Sequence, residues 1–327
     1  MPSSHRRLGI TLAWLGLAAI LPVAAGAQPP VYLLQWGSEG TGNGQFASPI
    51  GVATDASGNV YVAERNGQRV QKFTGTGAYL TQWGSPGTGE GQFTDPIGVA
   101  TDAAGSVYVT DMYNHRVHKF TDTGTYVTQW GSHGSGNGQF VFPQGVATDA
   151  AGDVYVADLY SRIQKFTATG TYLTQWGSNG TGNGQFRIPI GVATDPAGNV
   201  YVADQNNHRI QKFTGTGTYL TQWGSQGGGD GQFYNPTFVA TDAAGNVYVS
   251  DQSNYRIQKF NSSGAYLTQW GSNGDGNGQF DVPLGVATDA AGAIFVADAN
   301  NHRVQKFGDT LTPTTATSWG RIKRLYR

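Results

Sequence analysis

The chain has 327 residues, with 20 lysines and arginines against 21 aspartates and glutamates, a formal net charge of −1 and no cysteine. The lack of cysteine excludes disulfides, cysteine nucleophiles and thiolate metal sites. The near-neutral balance supplies no basic surface of the kind that captures nucleic acid.

The first 27 residues read as a secretory signal peptide. Arg6 and Arg7 precede an apolar run from Leu8 to Val23, and Ala25-Gly26-Ala27 offers small residues for cleavage after Ala27. The run is short for a membrane span, and a retained N-terminal anchor is the alternative. The mature chain is expected to be secreted or otherwise extracytoplasmic, with no transmembrane segment after cleavage.

From Val31 the chain repeats itself. Tryptophans stand at positions 36, 83, 130, 176, 223 and 270, so the spacings by subtraction are 47, 47, 46, 47 and 47. A fixed period of this size marks a repeat architecture. Each copy holds four short β-prone runs; in the copy opening at Gly191 they are GVAT, NVYVAD, RIQKF and TYLTQWG. Turn residues separate them, such as Asp195-Pro196-Ala197-Gly198 and Thr214-Gly215-Thr216-Gly217. No stretch within the repeats has helical periodicity. Runs such as Val200-Tyr201-Val202-Ala203 are apolar on both faces, which calls for sheets stacked face to face.

The wording VADQNNHRIQKF, Val202 to Phe213, resembles the NHL repeat, with Asn207-His208 at the corner and Arg209 after it. The resemblance runs over residues 31–307, recurs six times and implies a six-bladed β-propeller. The strand motifs reach the same number independently. First strands open at Gly51, Gly98, Gly145, Gly191, Phe238 and Gly285, whereas the first fourth-strand motif, Val31 to Gly37, precedes them all. The last copy ends after three strands. The expected fold is therefore all-β: six blades of four antiparallel strands, closed by the N-terminal VYLLQW lying beside the C-terminal RVQKF. Closure of this kind leaves no open sheet edge. The expected domains are a signal peptide over 1–27, a propeller over 28–307, and a linker with a basic tail over 308–327.

Without the signal and the tail the propeller keeps 14 bases and 20 acids, a net −6, and only Arg65 and Arg187 lie outside the repeated third-strand positions. That argues further against RNA binding, an activity of animal relatives. The tail, Thr317 to Arg327, is basic and reads either as a decayed repeat edge or as a docking or sorting signal.

Function then rests on where the copies differ. In a four-stranded blade the turns between strands one and two and between three and four share one face of the ring. The first of these barely changes: DASG, DAAG, DAAG, DPAG, DAAG, DAAG. The other face varies. Ahead of the strand-one proline stand Ala47-Ser48, Thr94-Asp95, Val141-Phe142, Arg187-Ile188, Tyr234-Asn235 and Asp281-Val282, and after it Ile50, Ile97, Gln144, Ile190, Thr237 and Leu284. The corner between strands two and three varies as well, and in the third copy, Leu159-Tyr160, it is one residue shorter. Drift on a solvent face would produce such variation, but so would a binding face, since loops held by a scaffold acquire contacts freely. The candidate binding residues are Tyr113, Phe142, Gln144, Tyr160, Arg187, Tyr234, Asn235, Thr237, Phe238 and Tyr255, rich in the rigid aromatics that suit recognition.

Chemistry is poorly represented. His115, His208 and His302 recur on alternate blades but occupy a repeated corner slot that Gln68 and Tyr255 fill elsewhere, so a structural role is expected rather than a metal site. The resemblance implies that amidating lyases of the family bind metal near the strand-one proline; here that neighbourhood carries residues such as Ser48 and Asp95 and no histidine. Six acids, Glu64, Asp111, Asp158, Asp204, Asp251 and Asp298, each face an arginine, Arg69, Arg116, Arg162, Arg209, Arg256 or Arg303; one pair per blade points to a structural clamp. Asp230 and Asp275 in the glycine-dense loops are the residues that a weak calcium site would use. The resulting expectation is a monomeric, cofactor-free, non-catalytic scaffold for a protein, peptide or polysaccharide. A channel-mouth lyase or lactonase is the alternative.

Overall fold

The computed structural model describes residues 28–308; the expected signal peptide over 1–27 and the tail from Thr317 lie outside them. The described residues form six four-stranded antiparallel sheets and two single turns of 3-10 helix, at Gln205–Asn207 and Gln252–Asn254. Blade one runs Pro49–Thr54, Val60–Glu64, Arg69–Phe73 and Tyr79–Trp83, and blades two to five repeat this order. Blade six takes Pro283–Thr288, Ile294–Asp298 and Arg303–Gly308 from the C-terminal end and Val31–Trp36 from the N-terminal end. The ring closes as the offset motifs require, with Gln35 opposite Gln305 and Trp36 opposite Val304.

The hydrophobic core is divided into six seams, each drawn from two neighbouring blades. Val60, Val62 and Phe73 of blade one pack with Phe295 and Val304 of blade six, and Tyr201 and Ile210 of blade four pack with Val247 and Phe260 of blade five. Second strands are buried along their whole length, as their unbroken apolar runs demand. Outermost strands such as Tyr79–Trp83 and Tyr219–Trp223 alternate between half-buried and exposed.

Two devices draw the first strands together around the axis. One is glycine at the second position after the proline: a Cβ on Gly98 would stand 2.6 Å from the Gln144 carbonyl oxygen of the next blade. The other is a closed belt of six threonines. Thr101 Oγ1 donates to the Thr54 carbonyl at 2.7 Å, Thr148 to Thr101 at 2.7 Å, Thr194 to Thr148 at 2.7 Å, and Thr241 to Thr194 at 2.6 Å. Thr288 to Thr241 and Thr54 to Thr288, both at 2.8 Å, complete the circle. Each bond spans two blades, so the belt fails as a unit if the ring opens.

Candidate functional site

The repeated acids and arginines form the clamp expected of them. Arg209 Nε donates to Asp204 at 2.8 Å, and its guanidinium also reaches the carbonyls of Thr181, Gly182 and Gln185 and the Gln222 side chain. One arginine thus ties the glycine-dense entry loop to strands two and four of its blade. Both partners are buried, Asp204 completely. Burial pushes the Asp158, Asp204 and Asp298 carboxyls upward in pKa, against the opposing pull of their hydrogen-bond donors. These groups are saturated with intramolecular partners and have no capacity left for substrate.

Blade two departs from this pattern. His118 replaces the glutamine found at Gln71 and Gln211, and Arg116 Nε lies 3.8 Å from Asp111, a looser pair. His118 Nε2 stands 3.5 Å from Asp111, too long for a good hydrogen bond, and both ring nitrogens are buried without one. Burial lowers the His118 pKa, against the pull of Asp111.

The corner histidines are structural, as their repetition suggests. His115, His208 and His302 all adopt left-handed backbone angles, as do Gln68 and Tyr255 in the same slot. Several of these side chains reach the entry loop of the next blade. The Phe142 amide donates to His115 Nδ1 and the Asn235 amide to His208 Nδ1, each at 3.3 Å. His302 Nδ1 lies 3.1 Å from the Phe46 carbonyl, and Gln68 Nε2 donates to the Thr94 carbonyl. The slot is a latch across the seam. Among the described residues no three His, Asp or Glu side chains converge as a metal site would require, Asp230 and Asp275 included.

The variable face contains a cavity of about 310 Å³ at the mouth of the central channel. A β-bulge after the strand-one proline aims the following residue inward. Ile50, Ile97, Gln144, Ile190, Thr237 and Leu284 therefore form a collar, mostly apolar, with Gln144 and Thr237 buried. Above it Arg65, Gln205, Gln252 and Asn300 supply polar groups. Blade five has Phe238 where the other five have glycine, and its half-buried side chain lines the same cavity. Arg65 reaches across the first seam to Asp95, 2.9 Å away. Burial raises the Asp95 pKa, Arg65 opposes this, and the Asp111 charge adds to it.

The ten candidate binding residues fall into three places. Gln144, Thr237 and Phe238 share the mouth cavity. Tyr113, Phe142, Tyr234, Asn235 and Tyr255 belong to the rim. There Tyr113 meets Phe142 edge-on at 5.6 Å, Tyr234 tilts against His208 at 5.5 Å, and Asn235 donates to Ser253. Tyr160 and Arg187 line two adjoining cavities further out, between blades three and four. Sequence reasoning missed Arg65, Gln205, Gln252 and Asn300 as mouth residues. Their only signal is position in the two-to-three corner, and convergence from four different blades is invisible along the chain.

The family is now decided. Residues 46–73, 93–120, 186–213, 233–260 and 280–307 match the NHL repeat. This is an NHL-repeat propeller. The unmatched copy is the third, whose corner is one residue short. No curated protein matches the NHL chain in sequence. Among solved structures it is similar to a structural genomics protein of unknown function from Bacteroides thetaiotaomicron (22% identity, 84% of this chain and 76% of that one, TM-score 0.64). It is also similar to a gluconolactonase from Xanthomonas campestris (14%, 86% and 98%, TM-score 0.62). A third similar structure is virginiamycin B lyase from Staphylococcus aureus (13%, 80% and 80%, TM-score 0.54). At these identities the likeness is one of fold.

Proposed function

We propose that this NHL-repeat propeller is an extracytoplasmic, non-catalytic binding protein whose partner, a protein, peptide or polysaccharide, sits over the channel mouth on the variable face. The observation that carries the reading is the convergence of Arg65, Gln144, Gln205, Phe238, Gln252 and Asn300, from five blades, on one cavity. A mostly apolar collar with a few placed polar groups is the usual make-up of a ligand site. The exposed rim tyrosines Tyr113 and Tyr234 extend it. Five of the six repeated acid–arginine pairs are engaged in a tight clamp, and the corner histidines sit in the latch slot, which supports binding over catalysis.

The test is capture on a peptide and glycan array by the full-length chain, repeated with Gln205→Ala/Phe238→Gly. The second change restores the glycine of the other blades and should leave the fold intact. Capture lost in the double variant supports the mouth; capture unchanged moves the site elsewhere. Turnover of a lactone or a cyclic depsipeptide antibiotic in the presence of divalent metal would replace the scaffold reading with the enzymatic one. Recovery of the protein outside the cytoplasm with its N-terminus at Gln28 tests the export reading, and an intact Met1 in the cytoplasm overturns it.

A further inference from the structure

The seam between blades three and four is unlike the seam beside it. Between blades two and three, His115 packs against His133 at 4.6 Å and Phe142 at 4.9 Å, with Tyr113 closing over Phe142. Aromatic rings fill that seam. In blade three the shortened corner ends in Ser161, a short side chain that is buried and left-handed at φ 60°. The asparagine that in blades two, four, five and six donates to an entry-loop glycine carbonyl is missing. Among the described residues no side chain of the blade-three corner reaches across this face as a latch. What remains are cavities of about 640 Å³ and 430 Å³ that adjoin through Leu159, Ser161 and Asn179. They share no residue with the mouth cavity.

The lining points to one chemistry. Arg187 is exposed, and its guanidinium makes no hydrogen bond or ion pair among the described residues, unlike the arginines of the six clamps and Arg65. A fork of donors held free in a cleft suits a carboxylate. Tyr160 is 56% exposed, and its ring lies over the Arg162 guanidinium at 5.4 Å, which fixes it as a flat platform. Asn179, Asn206 and His208 add further polar groups. An acidic peptide side chain would engage Arg187 but leave the exposed Tyr160 ring without a partner. A sugar ring instead offers a CH face to a tyrosine, hydroxyls to amides and, in a uronic acid, a carboxylate to the arginine. We infer that the seam between blades three and four is a second binding site, for an acidic saccharide of the uronate type.

The site goes beyond the channel mouth, so the experiment separates the two. Trigalacturonic acid and its methyl ester are titrated calorimetrically into the full-length chain. The acid is expected to bind about tenfold or more tightly than the ester, and Arg187→Gln to weaken the acid by about tenfold. Tyr160→Ala should weaken both ligands. Inserting an asparagine between Tyr160 and Ser161, which restores the corner length of the other blades, should abolish binding. Arg187 is exposed, so its variant remains informative should the insertion unfold the chain. Gln205→Ala/Phe238→Gly at the mouth should leave acid binding unchanged. No binding of the acid, equal binding of the ester, an unaffected Arg187→Gln variant, or loss in the mouth variant would each overturn the inference.

Discussion

The two faces of the ring hold their loops by different means, and this difference explains why one face changes and the other does not. On the constant face side chains do the holding. Asp195 Oδ1 accepts from the amides of Ala197 and Asn199, while Oδ2 accepts from Asn199 and from the Tyr201 hydroxyl at 2.8 Å. Lys212 lies over the Tyr201 ring and donates to the Ser262 carbonyl of the next blade. Substituting any of these removes a bond. On the variable face the loops are held by their backbone, gripped by the repeated acid and arginine. The strand-two acid takes the main-chain amide of the first residue of the pre-proline pair, as Asp204 does from Arg187 and Asp251 from Tyr234, each at 2.7 Å. The corner then bonds the carbonyls of the pair, as Asn206 does with Arg187 and Ser253 with Tyr234. The Arg187 and Tyr234 side chains make no hydrogen bond among the described residues, so they can be spent on recognition.

The comparison can be broken by experiment. The largest effect is expected beneath the variable face, where the clamp lies. Arg209→Ala strands Asp204 as a buried charge and releases three loop carbonyls, which should cost about 3–5 kcal/mol in denaturant unfolding. A loss below about 1 kcal/mol would show that the loop holds itself.

Next is the turn carboxylate of the constant face. Asp195→Ala leaves the Tyr201 hydroxyl only the long 3.4 Å bond to the Ser262 carbonyl and should cost about 1–3 kcal/mol at neutral pH. Burial pushes the Asp195 carboxyl up, but Asn199, Tyr201 and Lys212 more than offset this and hold it below the ordinary 3.8. A lowered folded pKa contributes stability that is present above the unfolded value and lost as pH falls through the folded one. Melting temperature measured below about pH 4 should therefore fall less steeply in Asp195→Asn than in the wild type. Parallel curves would remove Asp195 from the acid limb.

A smaller effect is expected in the belt. Thr194→Val removes one donor of six and should cost about 1 kcal/mol. The last change should stabilise. Ile188 and Val282 hold φ of 61° and 62°, a region costly for branched side chains. Val282→Asn, which tolerates that angle, should gain up to about 1 kcal/mol. No rise in melting temperature would mean that the valine side chain offsets its own strain.

Much of this molecule is legible along the chain because each repeat specifies its own strands, turns and clamp within some 47 residues, and because a fourth strand without its first three can pair only at the far end. Period, blade number, closure and the roles of Asp204 and Arg209 follow from such local wording. What the corner histidines touch, which residues share the channel mouth, and the unfilled seam beside Ser161 are relations between blades. Residues as far apart as Arg65 and Gln252 meet only because the ring curves back on itself, and a side chain missing from one blade becomes a cleft only when the next blade stands against it.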